Sequence, residues 1–429
     1  MLRHTVYEVT LQNGGKGLFI HIPEASVMNF EVNFRAGEYL VSKKKWEAPH
    51  IMEHLLFGAN EEIPKSRTFQ AEFEKNGAYS NASINSYEIV YEAECADFEW
   101  DRIAGLIQLA ITKPLFLESE YLAETGNVRE ELVMRSNNHF RQLNLSLRQA
   151  YGYRILTDQE RLELMKNVEL EDIWKHYKST HTTSNMRFVI AGKLPADRRK
   201  IITEIFEKMD LPKGKGRFEL PVEKPHSLKE ALYINNETVK NLYFFIDTFI
   251  LRRINNPEAD ALNLLNIMMT ETFYSRILGA AREKGLVYDT NSGFGQTRNS
   301  TNWWVGAQVL PDNTGPLFDI IVKEIKAIQR GRLNEDDLKA AQQYALGRFQ
   351  RSGQTVGGTA SGYSSRYFFD GIVDDYYKIP ERITDVTKKG IVDITKELFS
   401  KNIWGIGGLG STGEEFMEEL RSKITPLWK

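Results

Sequence analysis

The stretch that most constrains this 429-residue chain is Pro49-His50-Ile51-Met52-Glu53-His54-Leu55-Leu56-Phe57. Side chains four apart on a helix stand one turn above the other on a single face. His50 and His54 therefore project together, and Glu53 shares roughly that side. Met52, Leu55, Leu56 and Phe57 give the helix an apolar surface to seat in a core. Pro49 suits a first turn, where its missing N–H has no intrahelical partner to lose. The pattern H-x-x-E-H is the inverted form of a helical zinc-site motif. Its two imidazoles can grip one zinc ion while a carboxylate stands beside them. Histidine is scarce, eight in the chain, and two of them fall within this one turn.

Two histidines do not complete a catalytic metal site, which takes three protein ligands and a water. A candidate third donor lies between Glu118 and Arg135, ESEYLAETGNVREELVMR, a run of good helix formers broken by Gly126. Glu124 and Glu131 are two turns apart and face the same way. Glu130 points about 100° away from Glu131.

Together these segments resemble the pitrilysin/insulinase family of zinc metallopeptidases. In that family a zinc-binding glutamate follows the motif at a spacing that falls here on Glu131. A supporting glutamate seven residues earlier falls on Glu124. The resemblance implies His50, His54 and Glu131 as ligands of Zn2+, Glu53 as general base and Glu124 as support. Where the family usually has a small residue or glycine before the motif, this chain has Glu47-Ala48-Pro49.

Gly77…Asn81-Ala82 is similar to the family's active-site edge strand. There an extended peptide adds as a further strand, which implies that Asn81 and Ala82 line a substrate cleft. Ala281-Arg282-Glu283-Lys284-Gly285-Leu286-Val287-Tyr288 is similar to the family's R-E-K-x-G-L-x-Y signature, one residue shorter between lysine and glycine. The resemblance implies that Arg282 and Tyr288 contact substrate near the scissile bond and stabilise the oxyanion. It also implies an α+β fold of two similar lobes, each an antiparallel sheet packed with helices. The implied activity is zinc-dependent endopeptidase action on peptides or unfolded polypeptide. The implied assembly is a homodimer with composite sites, or a heterodimer with a metal-free sister subunit. A catalytically inactive, peptide-holding subunit on the same fold is the competing expectation.

Composition agrees with a globular chain of two or more domains, 41% hydrophobic and 26% charged. A net charge of −3 gives no electrostatic case for a nucleic-acid partner. The single cysteine, Cys95, excludes an intrachain disulfide. The start of the chain lacks an apolar signal core and no run is long enough to span a bilayer, so a cytoplasmic enzyme is the default expectation.

In order along the chain, Thr5–Leu11, Gly17–Ile22 and the alternating Met28–Arg35 are expected as strands, the last half-buried. His21 is expected to have a local partner rather than a metal. The Lys43-Lys44-Lys45 run is expected to be solvated. Thr68–Lys75 is expected as a helix and Glu88–Glu94 as a strand beside the Asn81-Ala82 segment. Asp101–Thr112, Leu145–Arg154, Asp158–Lys166, Glu169–Tyr177 and Pro195–Met209 are expected as helices, and Asn185–Ala191 as a buried strand. His139, His176 and His181 are expected to be surface or structural residues. A Gly/Pro/Lys stretch suggests a linker over 211–227, between a catalytic lobe at 1–210 and a sister lobe at 228–429.

The two halves carry a weak repeat. Asn185–Gly192 has a counterpart in Asn402–Gly408, and each is preceded by a helix, DIWKHYKS and DITKELFS. The glutamate helix is echoed by Leu338–Phe349 without acidic residues at the ligand positions, and His226 is the last histidine. The second half therefore cannot hold a copy of the two-histidine site. Trp303 and Trp304 are expected in a core strand. Gly353–Gly362, rich in small residues, is expected as a loop or a broken helix.

Overall fold

The computed structural model describes residues 2–400 and 403–428. The repeat partner Asn402 lies outside the described residues. Six strands form one sheet: β1 (Thr5–Thr10), β2 (Lys16–His21), β3 (Val27–Phe34), β4 (Tyr79–Ile84), β5 (Ile89–Ala96) and β6 (Met186–Gly192), in the order β1-β2-β6-β3-β5-β4. Five form another: β7 (Leu232–Asn235), β8 (Leu242–Ile250), β9 (Thr290–Gln296), β10 (Thr301–Val309) and β11 (Ile403–Gly410), in the order β7-β11-β8-β10-β9. Pairing is antiparallel except for β2 with β6 and β7 with β11. The fully antiparallel sheets expected from the sequence thus each carry one parallel pair. A parallel neighbour needs a long crossover, and in both sheets the late strand supplies it by inserting beside an early one.

β3 shows why the elements form where they do. Met28, Phe30, Val32 and Phe34 alternate onto one face and join the core that holds Ile51, Met52, Leu55 and Leu56 of the motif helix. The opposite face carries Asn29, Glu31 and Asn33, which a half-buried strand would show to water. These three are buried as well. The helix Val356–Asp370 lies over β3 and β6 and covers them. The stretch Gly353–Gly362, expected as a loop or a broken helix, is therefore mostly the first half of a continuous helix. Thr355 caps it by accepting from Gly358 N at 3.0 Å, and Gly371, at φ 72°, ends it. Glycines make room for its neighbours: a Cβ on Gly362 would come within 2.4 Å of the Tyr376 ring, and one on Gly357 within 3.3 Å of Glu94 in β5. Its last carbonyls accept from Arg217 (Phe368 O, 2.8 Å) and Arg35 (Phe369 O, 2.7 Å), cations placed where the helix dipole favours them.

The second sheet solves the same problem in the same way. Phe244 and Ile246 of β8 face one core, whereas Tyr243, Phe245 and Phe249 face another built with Leu143, Leu147 and Tyr151. Those last three come from the helix His139–Ala150 and its end. Gly407 in β11 leaves room for Leu147, whose side chain would lie 2.7 Å from an added Cβ. This helix starts earlier than Leu145–Arg154 because Asn138 caps it, accepting from Arg141 N at 3.0 Å.

The compact units follow from these two helices. One comprises residues 1–134, 159–220 and 350–376, and the other 135–158, 221–349 and 377–429. Two segments thus cross the boundary suggested by the 211–227 stretch. The physical reason is that a sheet buries both faces only if something covers the second, and each half of the chain supplies that cover to the other half's sheet. Residues 208–231 contain no helix or strand.

His21, His139, His176 and His181 all have local partners. His181 stacks on Phe34 and pairs with the Tyr91 hydroxyl at 2.9 Å; His176 bonds the Ala36 carbonyl at 2.7 Å. His21 accepts from Leu194 N at 2.9 Å, and His139 lies edge-on to Tyr243. The lysine run is not wholly solvated: Lys45 donates to the Asn167 carbonyl at 2.5 Å and to Asp172 at 2.6 Å. Trp303 is buried with its indole N–H on Asn266, as a core residue should be. Among the described residues no helix is long and apolar enough to cross a membrane.

Asp247 of β8 sits beneath the helix His139–Ala150, accepting from the Tyr151 hydroxyl at 3.3 Å. Burial pushes its carboxyl from 3.8 up to about 7. Between those values the folded chain keeps a proton that the unfolded chain has lost, so this group lowers stability as pH rises, and the loss levels off above 7. Asp247→Asn should gain on the parent by about 2 kcal/mol between pH 5 and pH 7 in denaturant titrations. A difference that does not change with pH would mean Asp247 ionises normally.

Candidate metal centre

The motif forms the helix Ala48–Leu56, with Pro49 in its first turn. Ile51, Met52, Leu55 and Leu56 are buried in the core, and Phe57 packs edge-on against Phe73 and Tyr91. This anchorage turns the polar side of the helix toward a second helix, Glu118–Ser136. Val128 and Leu132 hold that helix in the same core. Glu120 ties it to the chain leaving the motif by accepting from Ala59 N at 2.9 Å and Ser66 N at 3.0 Å. Tyr121 donates to the Val168 carbonyl at 2.7 Å.

Between the two helices the expected side chains converge. Glu131 Oε2 lies 3.2 Å from His50 Nε2 and 3.5 Å from His54 Nε2. Glu53 Oε2 lies 3.8 Å from His54 Nε2. His50, Glu53 and His54 each offer a donor atom within 4.8 Å of the others, the one such group of three among the described residues. One carboxylate oxygen shared by two imidazole nitrogens, with a second carboxylate alongside, is a donor set able to hold a divalent cation.

The other ring nitrogens are also held. Nδ1 of His54 bonds Glu124 at 3.0 Å, and Asn127 donates to the same carboxylate at 3.1 Å. Nδ1 of His50 bonds Glu47 at 3.0 Å, and Glu47 accepts the guanidinium fork of Arg161 at 2.6 and 2.9 Å. An imidazole whose Nδ1–H donates to a carboxylate presents a lone pair on Nε2. Burial alone would push the Glu47 carboxyl up, but the His50 hydrogen bond and the Arg161 charge hold it at about 2. Burial would likewise lower His54, but Glu124, Glu131 and Glu53 outweigh it and raise the imidazole to about 10 in the metal-free protein. Sequence reasoning missed both outer groups of His50. Glu47 could have been found, standing one turn before His50. Arg161 could not, because no local pattern links it to the motif.

The remaining expected site residues lie elsewhere. β4 is an edge strand, bonded only to β5, so its outer backbone is open to a further strand. Asn81 and Ala82 are neighbours on it and therefore face opposite sides. Asn81 is exposed and donates to Glu92 at 3.2 Å, whereas Ala82 packs on the core beneath the motif helix.

Arg282 and Tyr288 belong to the other compact unit. Arg282 sits in the last turn of the helix Leu278–Glu283. Gly285, at φ 65°, reverses the chain, and Arg282 then donates to the Tyr288 carbonyl at 2.6 Å. Its guanidinium stacks on the rings of Phe273 and Tyr288 at 4.9 and 5.0 Å. The Tyr288 ring is 86% exposed. Both residues line a cavity of about 780 Å³ with Asn241, Asn291 and Gln308.

A family model described as Insulinase (Peptidase family M16) matches residues 20–164. A second, described as Peptidase M16 inactive domain, matches residues 167–344. No curated protein matches the chain. Among solved structures, a protease from Helicobacter pylori is similar over 96% of this chain and 100% of its own, with a TM-score of 0.84 and 17% identity. A peptidase M16 inactive domain from Pseudomonas fluorescens is similar over 95% and 98%, with a TM-score of 0.81 and 15% identity. At these identities the structures establish the shared fold, and the two models, which between them span most of the sequence, establish the lineage. The chain belongs to the insulinase (M16) peptidase family.

Proposed function

We propose that this chain is a zinc-dependent endopeptidase acting on peptides or unfolded segments. The observation that carries the reading is the convergence of His50 Nε2 and His54 Nε2 on Glu131 Oε2, with Glu53 beside them. Zinc held by His50, His54 and Glu131 would lower the pKa of a water toward 7. Glu53 is the nearby carboxylate left to take that water's proton and pass it to the departing amine. Glu124 holds His54 in the tautomer that points its lone pair inward. The open edge of β4 offers backbone donors and acceptors to an extended segment of any sequence, which suits a peptide substrate. Arg282 and Tyr288 enter as substrate-contacting groups on the strength of the family resemblance. The competing reading, a metal-free subunit that holds peptides, draws on the inactive-domain description of the second model.

Metal content and cleavage of a mixed, unstructured peptide library separate the two. About one zinc per chain and chelator-sensitive cuts are expected under the peptidase reading; a chain that takes up no zinc refutes it. Glu53→Gln should keep its zinc and lose turnover by about 10²–10⁴-fold. Retained turnover in that variant would remove Glu53 as the base.

Zinc should also compete with protons. With His54 raised to about 10 in the metal-free protein, its imidazole is charged at pH 7 and must lose that proton before binding. Zinc affinity should therefore rise about tenfold per pH unit from pH 6 to pH 8 for each proton displaced. Calorimetric titrations in buffers of different ionisation enthalpy should register the proton released, and identical heats in all buffers would contradict the linkage.

A further inference from the structure

The two imidazoles are supported very unequally. Glu124, behind His54, has a side chain 23% exposed, and His54 itself is 25% exposed. Behind His50 everything is buried: His50 at 2%, Glu47 at 0% and Arg161 at 8%. Glu124 rides on the same helix as Glu131, so a shift of that helix moves ligand and support together. Glu47 precedes His50 by one turn at the start of the motif helix and is gripped from outside by Arg161, on the helix Asp158–Met165. The Arg161 fork takes both Glu47 oxygens, at 2.6 and 2.9 Å; the second of these also meets His50 Nδ1 at 3.0 Å, and although the same Arg161 nitrogen lies 3.4 Å from that Nδ1, two donors cannot bond each other, so the shared acceptor is Glu47. Glu38 stands next along, 3.8 Å from Arg161.

A buried ion pair is a weak source of stability, since the loss of hydration offsets most of the attraction. Its value here lies in geometry. A planar fork fixes the plane of the carboxylate, and the fixed carboxylate fixes the ring that donates to it. In a dry environment such a bond also orients more firmly than one reached by water.

Resting on the metal-site reading above, we infer that Glu47 and Arg161 form a positioning pair that locks the His50 imidazole for metal, Arg161 acting through Glu47. His50 is then the fixed arm of the site and His54 the adaptable one.

The test is zinc affinity of the full chain, measured by chelator competition, together with the absorption bands of the cobalt(II) form and the melting temperature of the metal-free form. Glu47→Gln keeps the side chain's shape and an acceptor for His50, but loses the charge that Arg161 grips. It should weaken zinc binding by about 10–100-fold and shift the cobalt bands. Glu124→Gln should weaken binding less than Glu47→Gln. Arg161→Lys keeps the charge but not the fork, and should weaken binding in the same direction. The pair Glu47→Gln with Arg161→Gln should bind no worse than Glu47→Gln alone, because Arg161 acts through Glu47.

Zinc affinity within twofold of the parent in Glu47→Gln, with only the melting temperature changed, would overturn the inference and leave a structural ion pair. Additive losses in the double variant would overturn the route through Glu47. A parent chain that binds no zinc would fail the metal-site reading itself, which is a different outcome from a parent that binds and a variant that binds equally.

Discussion

Everything at the candidate centre depends on a surplus of negative charge between two helices. Glu47, Glu53, Glu124 and Glu131 surround two imidazoles, and Arg161 is the guanidinium that meets them at Glu47. Carboxylates so close together repel one another unless a cation intervenes. In the metal-free protein that cation is the proton, which is why His54 is raised so far. A divalent ion held by the two imidazoles and Glu131 would supply the same compensation. The packing of Ile51, Met52, Leu55 and Leu56 on one helix and of Val128 and Leu132 on the other keeps the two from drifting apart to relieve the repulsion.

Much of this was legible in the sequence because it is periodic. Residues four apart and seven apart on helices must share a face, so His50 with His54 and Glu124 with Glu131 were fixed by spacing once the segments were read as helical. That the two pairs meet does not follow from either spacing; it came from the family resemblance and is set by the core the two helices share. Arg161 was illegible for the same reason. It reaches Glu47 from more than a hundred residues away, and nothing near it in sequence marks a buried arginine as different from a solvated one.

The polar face of β3 misled for a physical reason. Asn29, Glu31 and Asn33 alternate with large apolar residues as a solvent-facing row would. They are instead roofed by a helix whose run of small residues reads locally as a loop or a broken helix. Glycine and serine lower helix propensity, yet Gly357 and Gly362 also make room for Glu94 and Tyr376, so residues that hid the helix are ones its packing uses. Gly405 and Gly407 in β11 did the same on the other sheet, where a glycine-rich strand is the seat for Leu147 and Tyr151.

The exchange of covering helices bears on the order in which the molecule can be made. A ribosome that has released the first 220 residues has delivered every strand of the first sheet but not the segment 350–376 that closes its second face. That face carries Asn29, Glu31 and Asn33 on β3 but also Leu18, Ile20 and Val189 on the neighbouring strands, so a nascent chain waiting for its roof shows water an apolar patch beside a polar row. The polar row that disguised a buried strand thus lies beside an apolar one that only the second half of the chain can cover.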